Sequence, residues 1–546
     1  STSIDGVDGT GDDLTINSGA GTLTLQAIGA TQALSTLNIN TAATSTANIS
    51  LPNIGDAGND GVDGATNIGN SLTNQLTISG TIYKTGGATD YEAKSGNTIL
   101  LTGVSPTITT GGADLSFSTG NLVLSSAGTT TFTTGSGSAG GITVAGTIDG
   151  TNGQNEALAL ESGSGAIQLQ GTIGGTNPVT TLAINSTNGS AGTIEIVGIG
   201  DSDTTGASST ATIGNTSTGT LTLDGTIYKT GGNQTYVASA TGNDSGQNID
   251  ITGAATFTTT NDAVAFNTSG VDLANNGTTT INTGTGAGDV TFAAALESNG
   301  GGNDDLTITS GSGTVTFSNT VGAANALGAL SINASSGSGT ITFSSTIGDA
   351  GNAGTTGTTA IGNDTTGTIN LNSTLYKFDG GTTTITTTSG ENIELGATAA
   401  TTIASAGESL TFATGTIDLS NGTDLTINSV GGAITIAGIA GHSDETVTIS
   451  ADDAIADGGE GDSTTETVSL GNVGDSDSTE IHNLTVTADE GITLTGAIYT
   501  SADATDTGSE GADIVFNDKV LVNGTVIIDS NDDANDGVIT FSTSID

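Results

Sequence analysis

The chain has no cysteine, methionine, tryptophan or arginine, and only 3 prolines and 5 basic residues in 546, all of them lysines. Without cysteine there is no disulfide framework, thiolate metal site or thiol nucleophile, which suits an extracellular or cell-surface protein that does without disulfides. Five lysines stand against 56 carboxylates, a formal net charge of −51. Phosphate recognition rests on Lys and Arg, so nucleic acid is not an expected partner, and an anionic membrane repels such a chain. No apolar run of about 18 residues occurs, so no membrane insertion is expected in this segment, and no signal peptide is visible. Aromatic residues make up 3 % of the chain, which rules out a thick core of large side chains. His442 and His482 are 40 residues apart. Serine is too abundant for any one to mark a nucleophile, so no catalytic or cofactor-binding residue is assigned and the chain is not expected to be an enzyme.

What the chain does have is glycine (87 residues) and a clearly patterned apolar share of 33 %. Patterning of that kind separates it from a disordered segment and points to thin, regular β structure. Gly80 to Gly87 reads Gly-Thr-Ile-Tyr-Lys-Thr-Gly-Gly and returns unchanged at Gly225 to Gly232, with looser copies at Ser373 to Gly380 and Gly496 to Ser501. The motif tyrosines, Tyr83, Tyr228, Tyr376 and Tyr499, are spaced by 145, 148 and 123 residues. A second recurring line, Asp13 to Leu25, Ala157 to Leu169, Asp305 to Phe317 and Asp424 to Ile436, carries the equivalent serines Ser18, Ser162, Ser310 and Ser429, and Gly-Asp after an aliphatic residue recurs at 54–56, 199–201, 347–349 and 473–475. Three markers in one order define four repeats: 1–155, 156–303, 304–422 and an acidic 423–546, in which 23 carboxylates lie between Asp444 and Asp546.

Leading into each motif tyrosine, apolar or small residues occupy alternate positions (Leu76, Ile78, Gly80, Ile82 in the first copy), the period of a half-buried strand. The glycine or serine in third place marks a bend or another backbone passing close by. On this parity the tyrosine faces outward, able to meet a sugar or a neighbouring fibre or to cover the corner at Gly86-Gly87. Elsewhere, runs of three to six apolar and Thr residues alternate with Gly, Ser, Asn and Asp turns, with no helical period and no linker. The fold class is therefore all-β: a parallel β-helix (β-solenoid) of four imperfect repeats, with tandem β-sandwich domains as the alternative. Small inward residues and missing linkers favour the solenoid, with Thr runs such as Thr129-Thr130-Thr131 and Thr382-Thr383-Thr384 on its flat outer faces. Ser-Thr-Ser-Ile-Asp stands at both 1–5 and 542–546, which suggests a period of a longer repetitive polypeptide or a subunit that continues end to end.

Lines such as Asp305-Leu306-Thr307-Ile308-Thr309-Ser310-Gly311 and Gly313-Thr314-Val315-Thr316-Phe317 resemble, in texture, the β-strand-repeat regions of very large bacterial surface proteins of the filamentous-haemagglutinin-like adhesin type. That resemblance implies a right-handed β-helix and a cell-surface or extracellular role as a filament, sheath or adhesive layer whose partners are copies of itself or adjoining repeats. A calcium-dependent adhesin module that binds glycans or a partner surface is the competing expectation. Clustered Asp oxygens on Gly-rich turns are suitable hard ligands for Ca2+, and the candidates are Asp5, Asp8, Asp12, Asp13, Asp56, Asp60, Asp63, Asp304 and Asp305. The interaction candidates are Tyr83, Lys84, Tyr228, Lys229, Tyr376, Lys377 and Tyr499, with the lysines expected to neutralise nearby carboxylates.

Overall fold

The computed structural model describes residues 3–7, 11–135, 139–151, 155–187, 192–240, 247–299, 304–442, 444–452, 466–475, 479–501, 512–530 and 537–545. Among these every regular element is a short β-strand, and no helix is long and apolar enough to cross a membrane. The chain forms two compact bodies, Ser1–Val271 and Asp272–Asp546. Each is a parallel β-solenoid.

In the first body each turn of chain contributes three strands, and each strand pairs in parallel with its counterpart in the next turn. This produces three inward columns. One runs Ile4, Ile28, Ile54, Tyr83, Ile108, Phe132 and on through Leu160, Ile184 and Ile213 to Tyr236 and Phe266. The second begins Leu14, Leu37, Thr66, Thr89, Leu115 and continues to Ile249. The third begins Leu23, Ile49, Leu76, Ile99, Leu122, Ile148 and continues through Ile173 and Ile199 to Tyr228 and Phe257. The strands show the alternating buried and half-exposed pattern that period 2 dictates, so nearly all the Ile, Leu and Val lies inside. The core is narrow, which is why so few aromatic residues fill it.

The second body is built in the same way. Phe292, Phe317 and Phe343 are successive rungs of one column, stacked at 5.2 and 4.9 Å with ring planes 2° and 3° apart. Parallel in-register pairing forces like onto like at the strand spacing of about 4.8 Å, and that spacing suits offset ring stacking. A second column runs from Leu306 through Leu330, Thr359, Thr383 and Leu410 to Val520. The third carries Tyr376, Ile403, Ile427, Ile449, Val486, Phe516 and Phe541. Within the Thr runs the residues alternate too: Thr130 and Thr383 are buried, so these runs do not lie wholly on an outer face.

Candidate functional site

The Gly80 motif and the Gly-Asp line, far apart in sequence terms, form one corner. In the turn before the tyrosine strand, Gly55 adopts φ +75°, a left-handed conformation that favours glycine. Asp56 then closes a tight loop: its backbone N–H donates to Asn59 O (3.1 Å), while its Oδ1 accepts the N–H groups of Gly58 (2.7 Å) and Asn59 (2.8 Å). Asp201 does the same with Asp203 and Thr204 (2.8 and 2.6 Å), and Asp349 with Gly351 and Asn352 (2.7 Å each). These backbone donors hold all three carboxyls below the usual aspartate range, helped by the positive field of Lys84, Lys229 and Lys377.

One turn later the motif lysine lies over that loop. Lys84 pairs with Asp60 at 3.2 Å, Lys229 Nζ donates to Ser202 O at 3.0 Å, and Lys377 Nζ donates to Ala350 O at 3.4 Å. The lysine backbone joins the two turns as well: Lys84, Lys229 and Lys377 donate to Ile54, Ile199 and Ile347 O and accept from Gly61, Gly206 and Gly354 N.

The expected outward orientation of the tyrosines is overturned for three of the four. Tyr83, Tyr228 and Tyr376 are fully buried. The Tyr83 hydroxyl accepts the N–H of Gly80 (2.6 Å) and donates to Leu51 O (2.9 Å), and Tyr228 repeats this with Gly225 and Ile196 (2.9 Å each). Tyr376 accepts from Ser373 N at 2.8 Å. The hydroxyl therefore ties down the corner upstream of the tyrosine, not the Gly86-Gly87 turn. Strand alternation does not carry through a corner: four residues, Ser79 to Ile82, separate buried Ile78 from buried Tyr83, so the pleat resumes one position out of phase and Tyr83 points in and Ile82 out. The small third residue has the expected cause, since a Cβ on Gly80 would sit 2.2 Å from Asn53 Oδ1 and 2.6 Å from Asn53 N. In the fourth copy the corner is a residue shorter. Ile498 takes the inward place against Val473, and Tyr499 is half-buried.

Position around the turn changes from copy to copy. Tyr83 belongs to the first column of its body and Tyr228 to the third. In the second body Tyr376 stacks under Ile403, whereas the fourth copy falls in the column of Ile417, Ile439 and Val473. The repeat is not a whole number of turns.

Another corner escaped the sequence reading. Ser18, Ser162 and Ser310 each give their backbone N–H to the Oδ1 of an asparagine one turn later, Asn40, Asn185 and Asn333, at 2.7, 2.7 and 2.9 Å. These asparagines are left-handed, with φ of 53°, 46° and 51°. Asn70, Asn215 and Asn363 in the next turn donate to their carbonyls. The Ile-Asn dipeptides at 39–40, 184–185 and 332–333 carry the same period as the tyrosines and could have revealed this ladder.

Most of the carboxylates proposed as calcium ligands are spent on backbone donors. Asp5 accepts the N–H of Thr31 (2.8 Å) and the hydroxyl of Ser3, which hold it below the usual range. Asp149 and Glu297 cap later turns in the same manner. Asp12 accepts Val7 N (2.6 Å), and Asp13 accepts the Thr36 hydroxyl (2.7 Å). Asp60 pairs with Lys84, and Asp63 lies in the same depression beside it. Asp304 is buried, accepting Ser298 Oγ (2.6 Å), Asn276 N (2.6 Å) and Asn275 N (3.0 Å), while Asp305 accepts Ala329 N (2.6 Å). Asp8 lies outside the described residues. Among the described residues no group of three or more His, Cys, Asp or Glu side chains could hold a metal ion.

The two histidines are not isolated from one another, as their separation in sequence suggested. His442 N donates to Glu445 Oε2 (2.7 Å) and His482 N to Glu445 O (2.8 Å). Glu445 also accepts Gly422 N (3.1 Å), and burial raises its carboxyl above the usual range. This is a packed corner of the acidic repeat. Comparison with protein families, characterised proteins and solved structures finds no match for this chain.

Proposed function

We propose that the protein is a structural component of an extracellular fibre, sheath or adhesive surface layer, assembled by end-to-end or lateral packing of the repetitive β-solenoid. The observation that carries this reading is what the repeat preserves. The residues that return most faithfully, namely the buried tyrosine, the Asp loop under its lysine and the Ser–Asn ladder, all hold one turn onto the next. The copies also appear on different faces of each body, which suits a scaffold with equivalent sides better than a module with one binding face. In such an architecture each turn contacts only its neighbours, so length is gained without a new core. The net charge of −51 makes packing of such scaffolds sensitive to screening, and calcium enters the proposal as a bridge between acidic faces.

Negative-stain imaging of native material tests the proposal: periodic filaments or layers are the expected result. Native material that shows only dispersed monomers, with no filament or layer, would overturn it. Filaments unchanged by EDTA would remove calcium from the account.

A further inference from the structure

The first body carries a bounded trough on the outer side of its second face. Strand pairing places Asn67, Asp90, Ser116, Thr143 and Gln168 in one outward column over five successive turns. Two residues earlier on the same strands stand Ala65, Ala88, Asp114, Gly141 and Ala166, joined rung to rung through their backbone carbonyls. Four of these five have no side chain beyond Cβ, so a polar wall stands beside a low floor. The floor ends where side chains return, at Asp13 and Thr36 before it and Thr193 and Thr220 after it. The depression has a volume of about 480 Å³, within the range of roughly 300–1,000 Å³ typical of ligand sites. At about 4.8 Å per rung its five rungs extend over roughly 19 Å.

Its charge is one-sided, with Asp90 and Asp114 and no cation. Asp90 accepts the hydroxyls of Ser116 (2.6 Å) and Ser118 (2.9 Å), and Asp114 accepts Gly141 N (2.8 Å). Asn67 gives an amide proton to Asn38 (2.9 Å), and Gln168 gives one to Glu195 (3.4 Å). Those bonds occupy one of the two N–H donors of each amide and leave the acceptor oxygens of Asn67 and Gln168 beside two carboxylates. No lysine and no aromatic residue lines the trough. Such a site calls for an extended ligand that is rich in donors and free of negative charge.

We propose that this trough binds a linear glycan of neutral or amino sugars lying along the solenoid axis, its hydroxyl and ammonium groups donating to Asn67, Asp90, Asp114 and Gln168. The proposal is independent of the fibre reading, because monomers would bind glycan whether or not they assemble. The test is calorimetric titration of the full chain with a glucosamine tetrasaccharide, its N-acetylated form, an oligogalacturonate and tetralysine. The expected result is binding of the first two, no binding of oligogalacturonate, and an affinity about ten-fold or more lower in Ala88→Phe and Ala65→Phe, whose exposed positions leave the melting temperature unchanged. Failure of both sugars to bind, equal binding by the filled-trough variants, or equal binding of tetralysine would overturn the proposal. A variant with an altered melting temperature is replaced by Asp90→Asn, which is expected to weaken the amino sugar more than its acetylated form; equal weakening counts against the site.

Discussion

Tyr91 and Tyr236 each follow a motif tyrosine by eight residues and are both fully buried, yet only one hydroxyl is satisfied. Tyr236 donates to Gln234 Oε1 at 2.9 Å, and the Gln234 amide in turn donates to Tyr228 O and Thr258 O, both at 2.9 Å. The residue in the place of Gln234 in the first copy is Thr89, whose hydroxyl is 2.7 Å from Thr85 Oγ1, and the Tyr91 hydroxyl has no partner. An unpaired buried polar group costs about 1–3 kcal/mol, whereas removing it together with its polarity costs nothing of that kind. Tyr91→Phe keeps the ring stacked on Phe117 at 5.3 Å and is expected to stabilise the first body by about 1 kcal/mol. Tyr83→Phe leaves Gly80 N–H and Leu51 C=O without the hydroxyl and is expected to destabilise by about 1–3 kcal/mol. With a urea m-value near 3 kcal/mol/M, the first change raises the midpoint by about 0.3 M and the second lowers it by at least as much. Thr89→Gln is expected to reproduce part of the gain by supplying the missing acceptor. Urea unfolding followed by circular dichroism checks all three variants. If Tyr91→Phe lowers the midpoint as Tyr83→Phe does, the reasoning about the unpaired hydroxyl is wrong.

Gly80→Val drives a side chain into Asn53 of the adjoining turn and is expected to lose about 1–3 kcal/mol or more in the same urea assay. Asn185→Ala strips the cap from Ser162 N–H and leaves alanine, which tolerates the left-handed region less well than asparagine, at φ 46°; a loss of about 1–3 kcal/mol is expected from the same measurement. Lys84→Met breaks a half-buried surface pair and is expected to change stability by no more than about 1 kcal/mol. The Asp56, Asp201 and Asp349 carboxyls lie below the usual aspartate value, so the stability they confer is complete above that value and is lost as pH falls through the lower folded-state values. Hydrogen exchange of the 201–204 loop, monitored by mass spectrometry, should quicken on acidification relative to the core strands, and Asp201→Asn should abolish that pH dependence.

Fold class and period were legible because both depend on residues close together in sequence: alternation within short strands and a motif that returns whole. Orientation of the tyrosines was not, because it depends on how many residues a corner consumes, and Ser79 to Ile82 differs from Thr495 to Ala497 by one. The histidine corner and the trough were hidden for a related reason. Turns vary in length, from 23 residues between Leu14 and Leu37 to 29 between Leu37 and Thr66, so no fixed offset aligns Ala65 with Ala88 and Gly141. That carboxylates such as Asp5 and Asp56 cap backbone N–H groups was not legible either, because turns that do so and turns that bind cations draw on the same Asp and Gly.

The central claim is a parallel solenoid in which the two copies of the repeat within a body stand on different faces, and the absence of native cysteine makes it directly testable by paired cysteine substitution. Residues opposite one another on adjacent rungs lie about 4.8 Å apart, within the span of roughly 4.4–6.8 Å that a disulfide bridges. Following the column that begins near Tyr83, the pairs Thr109–Thr133, Ala159–Ala183, Ala183–Thr212 and Thr212–Thr235 should each oxidise to a disulfide, leading to Tyr236 and bypassing Tyr228. Cross-linking at Thr212 with Lys229 in place of Thr235 would contradict the account.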